Sequence, residues 1–82
     1  MKIGARVRFL CADLAASRRD DLSHIVAESF GVGDEGAVAF RHPNRKACPD
    51  WFYVEVESRT EPGVKLYVGV VPAMVEEAPR AG

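Results

Sequence analysis

Four side chains in this sequence are of the kinds that bind a transition metal: Cys11, His24, His42 and Cys48. Structural zinc takes four N or S ligands, and chains usually supply them as closely spaced chelating pairs. The nearest two, His42 and Cys48, have five residues between them, and no second close pair accompanies them. A small buried thiol, a histidine on a helix surface and two loop residues account for all four, so no metal is expected. Nucleophilic catalysis needs a base beside the nucleophile and a site for the developing oxyanion. Cys48 has His42 nearby in sequence but sits between Ala47 and Pro49, with nothing else converging. Glu55 and Glu57 read as strand-face carboxylates, and Asp34 and Glu35 as turn residues. Gly31, Gly33 and Gly36 match no phosphate-loop spacing and suit a helix cap and a turn. The expectation is no catalytic residue, no cofactor and no enzyme.

Binding chemistry is better represented. Trp51, Tyr53, Tyr67 and Val71 alternate with polar residues and are rimmed by Arg59, Glu55 and Lys65. An aromatic centre inside a charged rim is the make-up of a protein interface. Trp51, Tyr53 and Tyr67 are therefore the expected anchors for a protein partner, with Arg41, Arg45 and Lys46 as steering charges. The same basic residues, with His42, interleave with Trp51 and Tyr53, a pattern that also holds a single nucleic-acid strand by phosphate contact and stacking. Against that second partner stands the charge balance: eleven Lys and Arg face twelve Asp and Glu, for a formal net charge of −1. Nucleic-acid and anionic-membrane binders usually show a basic excess.

These residues need a scaffold. Lys2 to Cys11 alternates, with Ile3, Ala5, Val7, Phe9 and Cys11 on one face, which predicts a half-buried strand. The period then changes. Leu14, Leu22, Ile25, Val26 and Phe30 recur at helical spacing, Ser17 and Asp20 resemble a capping box, and Gly31 suits a left-handed cap. Gly33 to Gly36 reads as a turn and Ala37 to His42 as a strand with Val38 and Phe40 inward. Pro43 to Asp50 reads as a loop. Trp51 to Glu57 and Val64 to Val71 alternate around Pro62-Gly63, so they form a hairpin. Closing a five-residue loop pairs Val54 with Leu66, Glu55 with Lys65, Tyr53 with Tyr67 and Trp51 with Gly69, each a sensible neighbour. Pro72 ends that strand, and Ala73 to Glu77 is a turn or a short last strand.

The predicted class is α+β: a β-α-β-β-β antiparallel meander with one amphipathic helix inserted after the first strand. The same alternation fits a sheet curled into an SH3-like barrel. The stretch Tyr53 to Glu57, followed by Pro62-Gly63 and Val64-Lys65-Leu66-Tyr67, resembles the core of the plasmid-encoded type II dihydrofolate reductases, and Ile3 to Arg8 is similar to their first strand. That resemblance implies an SH3-like barrel assembled as a tetramer around a shared pore. The position of the family's motif glutamine, which helps bind substrates there, is Lys65 in this sequence. Multimeric reductase activity is thus a further alternative.

With 82 residues, 48% of them hydrophobic and 28% charged, the chain fits one globular domain near the lower size limit for folding without staples. The domain is expected over 1–77, with 78–82 a frayed tail. Homo-oligomerisation would relieve a lean core. Arg6, Arg8 and Asp13 interrupt every early apolar run, so no signal peptide or membrane partner is expected and the location is read as cytoplasmic. Cys11 and Cys48 are then expected as free thiols, with a disulfide the alternative in an oxidising compartment. A small chain without a chemical site suits a phage or mobile-element inhibitor that occupies a surface of a host complex, an anti-defence protein of the anti-CRISPR kind.

Overall fold

The computed structural model describes residues 2–19 and 26–78. Among these residues seven strands follow one another: β1 (Arg6–Phe9), β2 (Leu14–Ser17), β3 (Glu28–Phe30), β4 (Glu35–Arg41), β5 (Phe52–Glu57), β6 (Lys65–Val70) and β7 (Val75–Glu77). A 3₁₀ turn, Pro72–Met74, precedes β7. All pairings are antiparallel, and the order across the sheet is β3-β2-β6-β5-β4-β1-β7. The centre is the meander β4-β5-β6. Residues Arg6 to Ser17 supply both β1, which pairs with β4, and β2, which pairs with β6. One continuous segment therefore joins the two flanks of the meander, and the sheet curls into a half-barrel. The β3–β4 turn closes onto the same segment: Phe9 N–H donates to the Asp34 carbonyl at 2.8 Å and Gly33 N–H to the Phe9 carbonyl at 3.0 Å.

Alternation sets the inside. Val7, Phe9, Leu14, Ala16, Phe30, Val38, Phe52, Val54, Val56, Leu66, Val68, Val70 and Val75 form one buried cluster. Their neighbours along each strand face outward, as period-two geometry requires. Gly36 is buried within β4 because a Cβ there would lie 2.5 Å from the Glu55 carbonyl oxygen and 2.6 Å from a Val54 methyl. The curl brings β4 closer to β5 at this point than any side chain tolerates.

The α+β class is overturned. Both ends of the expected helix are strands, with Leu14 opposite Phe30, Ala15 opposite Ser29 and Ala16 opposite Glu28. Leu22 and Ile25 lie outside the described residues, and Val26 is exposed. Asp13, immediately before β2, has φ of 57°, a left-handed conformation that bends the chain there. The physical reason for the error is that only the short steps between Leu22, Ile25 and Val26 have helical spacing; Leu14 and Phe30, sixteen residues apart and nearly opposite on a helix, are apolar because they are buried facing each other across two strands. Gly31 is no left-handed cap; the positive φ, 91°, belongs to Gly33.

Three smaller corrections concern register. The first strand is shorter than expected: Lys2 to Ala5 forms a turn with Gly4 at φ of 89°, and Ile3 is exposed. The β4–β5 register shifts between Val38 and Phe40, so Ala39 is an extra residue in a β-bulge. Phe40 then stands opposite Tyr53, on the outer face rather than inward. In the β5–β6 hairpin the pairs are Glu57 with Lys65, Glu55 with Tyr67, Val54 with Val68 and Tyr53 with Gly69. This is two residues away from the expected register and keeps its parity, so the inner face is unchanged. The connection is wider, Ser58 to Val64, because Ser58 folds it: its hydroxyl oxygen accepts the Thr60 and Glu61 amides at 3.2 and 3.0 Å. Just past β7, Ala78 is buried and its N–H donates to the Arg6 carbonyl at 3.0 Å. Residues 79–82 lie outside the described residues.

Candidate interaction surface

The outer face of the meander has two halves. Around the bulge, three rings meet: Phe40 lies 5.0 Å from Tyr53 and 5.4 Å from Tyr67, centroid to centroid. Their tilts of 36° and 45° suit aromatic pairs, whose quadrupoles disfavour face-to-face contact. His42 stacks on Tyr53 at 5.9 Å, and the Arg19 guanidinium sits 4.5 Å from the Phe40 centroid. Tyr53 also covers the bare Gly69, where an added Cβ would be 3.1 Å from its ring. The expected partner for Gly69 was Trp51; the same ring-over-glycine device is used one strand position further on. The Tyr67 hydroxyl donates to the Glu55 carboxylate at 3.1 Å. Partial burial, and then that hydrogen bond, push the Tyr67 phenol above its ordinary value. All three rings are half-buried, so each keeps area for a further contact.

The other half is polar. A cleft of about 450 Å³ is lined by Arg6, Asp34, Glu35, Glu55, Glu57, Arg59 and Lys65, with Gly36 and Ala37 beneath. Its charges are largely matched within the chain. Arg6 and Arg8 reach Glu35 at 3.7 and 3.6 Å, Arg8 reaches Glu76 at 3.3 Å, and Lys65 reaches Glu57 at 2.8 Å. The Lys65 contact holds the Glu57 carboxyl below its usual range. Arg59 pairs with Asp34 and lies over the Phe30 ring at 4.3 Å. The Gly31 amide, at 2.8 Å, and then Arg59 hold the Asp34 carboxyl low. Glu28 pins the β5–β6 connection. It accepts the Ser58 hydroxyl, the Arg59 amide at 2.9 Å and the Thr60 hydroxyl at 3.2 Å, and the first two contacts lower its pKa most.

The expected anchors are therefore divided. Tyr53 and Tyr67 belong to the ring cluster. Trp51 lines a separate hollow of about 110 Å³ with Ile3, Arg41, Pro49, Asp50 and Pro72. Arg45 and Lys46 are exposed in the turn after Asn44. That turn is built by Asn44, whose side-chain oxygen accepts the Ala47 amide at 3.1 Å, and by His42, whose Nδ1 accepts the Asn44 amide at 3.0 Å. His42 thus ties the basic loop to Tyr53. Phe40 and Arg19 were not expected in an aromatic cluster, whereas His42 was expected beside Tyr53. Only the small Ala39 hints at a bulge, and alanine is common in ordinary strands too. Cys11 and Cys48 are both free thiols. His24 lies outside the described residues. Among the described residues no group of three or more His, Cys, Asp or Glu is arranged to hold a metal, and no helix is long and apolar enough to cross a membrane. No family model, no curated protein and no solved structure matches this chain.

Proposed function

We propose that this chain is a non-enzymatic protein-binding module whose partner seats on the ring cluster Phe40, Tyr53 and Tyr67. The observation that carries the reading is the convergence of three half-buried rings on the outer face of a fixed sheet. Rigid aromatic side chains lose little rotamer freedom on binding and dominate interface energetics. The neighbouring charges, already paired within the chain, supply a rim that excludes water rather than a source of strong attraction. An inhibitor that occupies a surface of a host complex, of phage or mobile-element origin, is the biological setting this reading favours.

The test is a tagged pull-down from bacterial lysate, with and without nuclease, comparing the wild-type chain with Tyr53→Ala. A stoichiometric protein that survives nuclease and is lost with Tyr53→Ala supports the reading. Equal recovery by both chains sinks it.

A second reading has one observation of its own. His42 stacks on Tyr53 and belongs to the loop that exposes Arg45 and Lys46, so a base could stack while its phosphates meet the loop. Glu55, hydrogen-bonded to Tyr67 within the cluster, opposes phosphate there. Affinity for a single strand that falls steeply with salt would favour this alternative. The reductase reading has no such support: Lys65 is engaged by Glu57 and Tyr67 by Glu55. It calls for a pore-forming multimer and measurable cofactor binding.

A further inference from the structure

We propose that the hollow around Trp51 is a self-association site, where two copies of this chain meet about a two-fold axis. It is separate from the ring cluster and does not depend on it. Two of the large hydrophobic side chains left in solvent, Ile3 at 61% and Trp51 at 40% exposure, lie on this one hollow, with Pro49 and Pro72 beside them. Val38 and Phe52 of the core complete the lining, so the hollow sits at one end of the buried interior. Ile3 is held there. The Gly4 amide donates to the Val38 carbonyl at 2.7 Å, and Ala5 N–H closes the Lys2 turn at 3.1 Å. A pre-ordered apolar patch of this kind loses little entropy when covered.

Charge selects the occupant. Arg41 and Asp50 both line the hollow, and neither takes part in an ion pair among the described residues. Arg6, Arg8, Arg18, Arg59 and Lys65, by contrast, each have a carboxylate within the chain. One cation and one anion, each without an ion-pair partner among the described residues, flank one apolar hollow and are self-complementary. A two-fold axis sets Arg41 of each copy against Asp50 of the other, with the Trp51 and Ile3 side chains covered between them. A domain of 82 residues, near the lower limit for a self-sufficient core, gains from this added burial.

The test is sedimentation equilibrium over a concentration series, on the wild-type chain, Arg41→Asp, Asp50→Arg and an equimolar mixture of the two variants. The expected result is a wild-type monomer–dimer equilibrium. Each single variant should weaken it by about tenfold or more, since each replaces two attractions by two repulsions. The mixture should recover the dimer, because each chain then offers what the other lacks. Both substitutions are on exposed side chains, so far-UV circular dichroism should be unchanged. Trp51→Ser should abolish association, and the charge variants test the proposal even if that chain folds poorly. A wild-type chain that is monomeric throughout overturns the proposal and leaves the hollow to a partner of different sequence. A mixture no more associated than its components overturns it as well, as does an assembly larger than a dimer.

Discussion

The two halves of the outer face share the strands β4, β5 and β6, the polar half adding β1 and two turns, yet they handle their side chains in opposite ways. In the polar half each long side chain finds its complement nearby: Arg6 and Arg8 on Glu35, Lys65 on Glu57, Arg59 on Asp34. In the aromatic half the rings meet one another and remain partly open. Internally paired surface charges have spent most of their attraction and contribute little to a complex. Half-covered rings keep the apolar area that a partner can remove from water. Proximity to a charged cleft is thus a weaker pointer to function than an open ring cluster of similar size.

The sharpest way to break the comparison is at its hinge. Gly36→Ala puts a methyl against the Glu55 carbonyl beneath the polar half, and should cost about 3 kcal/mol, read as a lower urea midpoint. If stability is unchanged, the close approach of β4 and β5 is not as described. Next in size, Tyr53→Ala removes the ring shared by Phe40, His42 and Gly69. It should lower stability by about 2 kcal/mol and partner affinity by about thirtyfold. A loss of stability with full partner binding would reduce the cluster to packing.

Tyr67→Phe should cost about 1 kcal/mol, the worth of one hydrogen bond to Glu55. It should also change the alkaline limb of the stability profile. The Tyr67 pKa is raised in the folded chain, so its contribution is complete below the ordinary tyrosine value near 10 and is lost as pH rises through the folded value. Urea midpoints between pH 8 and about 11 should therefore fall less in the variant than in wild type. In the polar half the sign reverses. Glu28, Asp34 and Glu57 all have lowered pKa values, so their contribution is present above the ordinary carboxylate range and disappears as pH falls through and below about 4. Glu28→Gln should flatten that acid limb and loosen the β5–β6 connection, visible as faster amide exchange at Arg59. Smallest of all, Glu57→Gln should leave the urea midpoint within error at moderate salt, because its pair with Lys65 is open to solvent.

Strand alternation was legible in the sequence wherever both faces differ in polarity. β5, β6 and the buried part of β1 follow from it, as does the hairpin. The hairpin register was not legible because alternation does not report the Ser58 hydroxyl folding its own loop, and the contact that fixes it, Glu28 from β3 on Ser58, joins residues thirty positions apart. The helix was misread because Leu14 and Phe30, which pair across two strands, were joined to the helical steps between Leu22, Ile25 and Val26 as one stripe. The candidate site was half legible. Tyr53 and Tyr67 belong to one surface, but Trp51 faces a different one and Phe40 joins them only through the Ala39 bulge. Alternation carries no signal for an inserted residue, and each one reverses every side chain that follows.

The segment from Arg6 to Ser17, which joins both flanks of the meander, also bears on how the chain is made. On the ribosome it emerges before every strand it pairs with. β4 and β6 must follow, and residues as far apart as Ala16 and Val68 must meet before the curl can close. Contacts so distant in sequence make folding slow and leave the early strands exposed while they wait. The hairpin β5–β6 is local and forms without that delay. Assembly should therefore begin at β5–β6, with the segment Arg6 to Ser17 among the last parts to be placed.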